Sequence, residues 1–104
     1  MPEILHKDAI LETLTRNKQR LFEFGVDQIG LFGSYLTGEA RPESDIDLLV
    51  DIIPTHKTFR NFLALNYYLE RLFHRKVELV TKQSLSPHIG PHILKTIEYA
   101  ALAN

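Results

Sequence analysis

From residue 45 the chain alternates apolar and acidic side chains. Successive side chains on a strand point to opposite faces, so Ile46, Leu48, Val50 and Ile52 share one face while Asp45, Asp47, Leu49 and Asp51 share the other. Residues 45–52 are therefore predicted as a strand, closed by Pro54. Upstream, the short apolar run VDQIGLF (26–32) ends at Gly33 and predicts a buried strand. VELVT (77–81) predicts a third, with Val77 and Leu79 on one face and Glu78 on the other. Helical spacing governs the rest. Ile10, Leu14, Leu21 and Phe24 recur at helical intervals through residues 3–24, and Gly25 stands where a left-handed cap is expected. Residues 58–73 place Phe59, Phe62, Leu63, Leu69 and Phe73 on one stripe of a second amphipathic helix. Pro87 and Gly90-Pro91 break the chain, and Pro91 opens a last helix over residues 92–103. The order helix, strand, strand, helix, strand, helix predicts an α/β (α+β) fold, a small mixed β-sheet with helices packed on one face and acids on the other.

Length and composition narrow the class. A chain of 104 residues is expected to be one domain over 1–104, with no room for a separate substrate domain. Its 44% hydrophobic and 24% charged residues are those of an ordinary soluble protein. No apolar run approaches the ~18 residues of a membrane span, and MPEILHKDAI is too charged for a signal peptide, so the expected location is cytoplasmic. The absence of cysteine excludes disulfides, thiolate metal sites and a Cys nucleophile. A formal net charge of −1 argues against a domain that grips nucleic acid by phosphate neutralisation.

Against this background the acids stand out. On one strand Asp45 and Asp47 lie about 6–7 Å apart, where two carboxylates repel by roughly 2–3 kcal/mol at an effective dielectric near 20. If strands 45–52 and 77–81 are neighbours, Glu78 joins them. A cation would offset that repulsion, and oxygen-only ligands favour Mg²⁺ or Mn²⁺. Gly33-Ser34 adds a second feature. At a strand-to-helix junction, backbone N–H groups converge into a nest for phosphate oxygens, and a Ser hydroxyl supplies another donor. Taken singly, Asp-x-Asp is also a pair of solvated strand-end acids, and Gly-Ser is also a tight turn.

Gly33-Ser34, ten residues, then Asp45-x-Asp47 resembles the signature of the polymerase-beta-type nucleotidyltransferase superfamily, and FGSYLTGEARPESDIDLLV resembles its minimal nucleotidyltransferase (MNT) members. The resemblance implies that Gly33 and Ser34 hold the nucleotide's β and γ phosphates and that Asp45 and Asp47 bind two Mg²⁺ ions. Glu78 falls where the family carries its third carboxylate, more often Asp, and is implied as metal ligand and general base. The implied reaction moves AMP from ATP to a hydroxyl. The implied setting is the antitoxin half of a HEPN–MNT toxin–antitoxin pair that modifies a tyrosine of the HEPN ribonuclease, in a hetero-oligomer and without direct contact to nucleic acid. Two other readings remain open: an antitoxin that neutralises its partner by contact alone, and a small-molecule nucleotidyltransferase.

Other residues weigh less. Arg41 is placed to pair with a triphosphate oxygen or to sit solvated in its loop, and Ser44 is expected to bond the local backbone. His56 is a loop residue that could contact substrate. His88 and His92 have helical i, i+4 spacing, but Gly90-Pro91 between them breaks the helix a metal pair would need. Of Tyr67 and Tyr68, one is expected at the core edge and one exposed.

Overall fold

The strand pattern is realised as a four-stranded mixed sheet in the order β3-β2-β1-β4. The structure is a computed structural model that describes residues 5–102, so positions 3 and 4 of the expected first helix and position 103 of the expected last one lie outside the described residues. The elements are α1 (Lys7–Arg16), α2 (Lys18–Glu23), β1 (Val26–Phe32), α3 (Ser34–Thr37), β2 (Ile46–Ile52), α4 (Phe59–Phe73), β3 (Val77–Thr81), α5 (Gly90–Thr96) and β4 (Glu98–Tyr99). β1 pairs antiparallel with β2 and β4, while β2 and β3 run parallel, joined by α4.

The even-numbered face of β2 enters the core as predicted. Ile46, Leu48, Val50 and Ile52 pack with Ile29 and Leu31 of β1, Val77 and Leu79 of β3, and buried residues of α1, α2 and α4. Gly25 has φ +78 and supplies the left-handed cap expected after the first helical region.

Four expectations need correction. The first helix is broken at Asn17, whose side-chain Nδ2 donates to the Thr13 carbonyl at 2.8 Å while its Oδ1 accepts from the Tyr68 hydroxyl at 3.2 Å. An Asn side chain competes with the helix ladder for backbone partners, and the tertiary bond to α4 holds it in that role. In α4 the buried stripe is Leu65, Leu69 and Phe73, not a stripe led by Phe59, which is 76% exposed. Thr58 caps this helix by accepting from the Asn61 N–H at 3.1 Å. That cap places Phe59 in the first turn, over solvent.

The last helix stops at Thr96, and residues 98–99 become a strand instead of continuing the helix. Gly30 pairs with Tyr99 and Leu31 with Glu98, so backbone groups of the otherwise outer strand β1 gain partners, which outweighs the helical propensity of the segment. Finally, the acid-bearing face is not open along its length. Leu49 is fully buried, and its register partner Gly30 lies so close to Ile97 that a Cβ there would sit 2.6 Å from Ile97 Cδ1.

Because Leu65 is at 0% exposure in the centre of the α4 contact, Leu65→Ala is expected to cost about 2–5 kcal/mol, read as a lower denaturant midpoint at unchanged slope. Phe59→Ala is expected to change stability by less than about 0.5 kcal/mol.

Candidate active site

The predicted site residues come from three segments, and the sheet brings them to one end. Parallel pairing of β2 with β3 sets Asp47 directly beside Glu78. Asp47 lies half-buried beside it. Burial first, then the bond to Glu78 and the charges of Glu78 and Asp45, push the Asp47 carboxyl up to about 7. Asp47 therefore holds its proton well above the ordinary carboxylate range, because a buried carboxyl beside other acids is stabilised in its neutral form. Asp45 immediately precedes β2 and acts on Asp47 through its charge.

β1 delivers the second half. Its partner for Asp47 is Phe32, and the next residue, Gly33, turns the chain at φ 77 and ψ −156 into α3. That conformation is open to glycine and strained for any residue with a Cβ. The contact here imposes a second requirement, because an added Cβ would fall 2.1 Å from Asp47 Oδ2. Bare backbone therefore lies against the central carboxylate. The Gly33 carbonyl accepts from the N–H groups of Leu36 and Thr37 at 3.0 and 3.1 Å, and Ser34 stands at the first helical position.

Oxygen-only donors and a carboxyl crowded into holding a proton match what a hard divalent cation relieves. Among the described residues no group of three or more His, Asp or Glu side chains is placed to hold a metal ion; Asp47 stands beside Glu78 in the sheet, and His88 and His92 form no such group.

The lesser expectations divide. Ser44 bonds the local backbone, accepting from the Arg41 N–H at 2.9 Å, while Arg41 and its loop neighbours Pro42 and Glu43 are exposed. Tyr67 is exposed and Tyr68 half-buried. One contributor was not anticipated. Glu70 on α4 accepts from the Val77 N–H at 3.0 Å and so fixes the start of β3 one residue before Glu78. Its only sequence signal is an acid in the last turn of a helix, where the dipole disfavours it.

Residues 11–103 match the family described as nucleotidyltransferase domain. The chain is 42% identical over 99 residues to the protein adenylyltransferase MntA of Thermococcus cleftensis, covering 92% of this chain and 97% of that one. Among solved structures it is similar to one described as a minimal nucleotidyltransferase, at 30% identity and a TM-score of 0.69, covering 85% of this chain and 93% of the other. It also shares its fold with a chain of the complex of tri-AMPylated Shewanella oneidensis HEPN toxin with MNT antitoxin, at 21% identity and a TM-score of 0.55, covering 82% and 69% of the two chains. A glycine turn held against a carboxylate pair and a family likeness over residues 11–103 lead to one conclusion: this protein belongs to the nucleotidyltransferase domain family and is a nucleotidyltransferase.

Proposed function

We propose that this chain is a protein adenylyltransferase that moves AMP from ATP to a tyrosine hydroxyl of a HEPN ribonuclease partner and so acts as its antitoxin. The observation that carries the reading is the bare Gly33 turn against Asp47, with Glu78 beside it, because this joins a phosphate cradle to a carboxylate cluster. The name of the 42% identical relative supports protein adenylylation, and the fold shared with a HEPN–MNT complex supports the class of partner.

In this reading Gly33 and Ser34 hold the terminal phosphates, and Asp45, Asp47 and Glu78 would hold two Mg²⁺ ions. Bound Mg²⁺ supplies charge neutralisation on the triphosphate and lowers the pKa of an oxygen it coordinates. Glu78, the more exposed of the paired acids, takes the proton of the acceptor hydroxyl. The acceptor oxygen forms a bond to the α-phosphorus, the α–β anhydride bond breaks, and pyrophosphate leaves. The whole chain acts as a single domain in a cytoplasmic hetero-oligomer with the toxin, and among the described residues no helix is long and apolar enough to cross a membrane.

The test is incubation of the purified chain with α-labelled ATP, Mg²⁺ and a HEPN partner co-expressed with it. Label is expected on the partner and is expected to vanish when the acceptor tyrosine is changed to Phe. Neutralised toxin without label assigns the protein to contact alone, and label on a small hydroxylated compound assigns it to small-molecule transfer.

A further inference from the structure

The phosphate turn and the acid-bearing arm are separate stretches of chain, and a side chain outside both ties them together. Arg75, in the turn between α4 and β3, directs its Nη1 to the Pro42 carbonyl at 3.3 Å and to the Tyr35 hydroxyl at 3.5 Å. Tyr35 follows Ser34 in α3; its ring is buried in the core, and its hydroxyl donates to the Arg41 carbonyl at 3.5 Å. The arm closes on itself next to this point, where the Ser44 N–H donates to the Arg41 carbonyl at 2.9 Å. Asp45 follows, and the Ile46 N–H donates to the carbonyl of Lys76, the neighbour of Arg75.

Residues 41–43 are exposed between Ala40 and Ile46, which pack on the core, so the tip of this arm is held chiefly by hydrogen bonds. The bonds from Arg75 are individually long, but they converge on two elements that flank the candidate site. We propose that Arg75 is a positioning residue for nucleotidyl transfer, holding the arm that carries Asp45 against the helix that follows the phosphate turn. Its two Nη1 hydrogens serve one acceptor on each element. The proposal rests on the adenylyltransferase reading above and concerns the placement of Asp45 relative to Ser34. A misplacement of about 1 Å in such a constellation costs on the order of 100-fold in rate, so loss of one tether among several is expected to cost about tenfold.

The experiment compares wild type with Arg75→Gln, Arg75→Lys and, as control, Arg71→Gln, an exposed position on α4. Two quantities are read: the steady-state constants of transfer, and amide hydrogen exchange of residues 39–46 in the nucleotide-free protein. In Arg75→Gln we expect kcat to fall about tenfold with the KM for ATP within about twofold, and exchange across 39–46 to rise at least about threefold while β1 stays protected. Arg75→Lys, which keeps a charged donor, is expected to recover part of both changes, and Arg71→Gln to alter neither. Unchanged exchange across 39–46 in Arg75→Gln overturns the proposal, as do equal losses in the Lys and Gln variants, which would assign the effect to the side-chain stem. A wild type without transfer activity overturns the adenylyltransferase reading itself, whereas an active wild type matched by an equally active Arg75→Gln variant overturns this proposal alone.

Discussion

Replacing Gly33 with alanine is expected to cut transfer by about 100-fold or more while the fold survives. Two costs arise at this position and they can be separated. The backbone stands at φ +77 and ψ −156, a region essentially confined to glycine, where a side chain costs about 1–3 kcal/mol, an amount a domain of ordinary stability tolerates. The new Cβ would also fall 2.1 Å from Asp47 Oδ2 and 2.9 Å from its Cγ, so the Asp47 carboxylate has to move by an ångström or so. Displacement on that scale costs about 100-fold or more in a reaction that depends on alignment. Gly38 provides the control, since it has φ +83 but nothing within 4 Å of an added Cβ. Gly38→Ala, at ψ 10 in the milder left-handed region, is therefore expected to lose up to about 1–2 kcal/mol and to retain transfer within a few-fold. The measurements are thermal midpoints and initial rates on the three proteins; equal activity of the two alanine variants would show that the contact with Asp47 has no catalytic meaning.

Asp47→Asn is expected to lose at least about 10³-fold in transfer rate, by removing a charged oxygen where the reaction gathers charge, and yet to be the steadier protein without metal near pH 7. Asp47 has its folded pKa at about 7, above the ordinary value of 3.8. Between those limits the folded chain keeps a proton that the unfolded chain has released, so stability must fall as pH rises from about 4 to about 7. Below about pH 4 both states are protonated and the penalty vanishes. Because the side chain is half-exposed, solvent screening reduces the effect to on the order of 1–2 kcal/mol. An Asn side chain can still donate to Glu78 and carries no titrating proton. The melting midpoint of wild type minus that of the Asp47→Asn variant, measured in chelator from pH 4 to 8, is therefore expected to grow more negative up to about pH 7, to level off above it, and to shrink when Mg²⁺ is added. A difference independent of pH would refute the raised pKa of Asp47, and normal transfer by Asp47→Asn would remove Asp47 from the catalytic scheme.

The sequence by itself determined the features that have a local cause. Alternation along 45–52 set which side chains of β2 enter the core, because the two-residue period of a strand leaves one choice when one face is apolar. Gly25 and Gly33 marked turns, and both adopt positive φ. The Gly-Ser and Asp-x-Asp pairs were legible as a compound motif, and with them the family.

Only the tertiary structure decided what depends on partners distant in sequence. Asp47 meets Glu78 across 31 positions because β2 and β3 pair in parallel in that register, and Gly33 meets Asp47 because β1 and β2 run antiparallel up to Phe32. Asn17 breaks a helix whose periodicity continues through it, held by Tyr68, 51 positions away. Residues 98–99 leave a helical pattern to cover β1, and Leu49, alternating with acids, is buried with Ile97 over its partner Gly30. Arg75 carries no signal of its own in the chain, yet in the fold it bridges α3 and the arm before β2. Backbone pairing and burial are satisfied over the whole molecule, and where they outweigh local propensity by even a few kcal/mol, packing chooses the element.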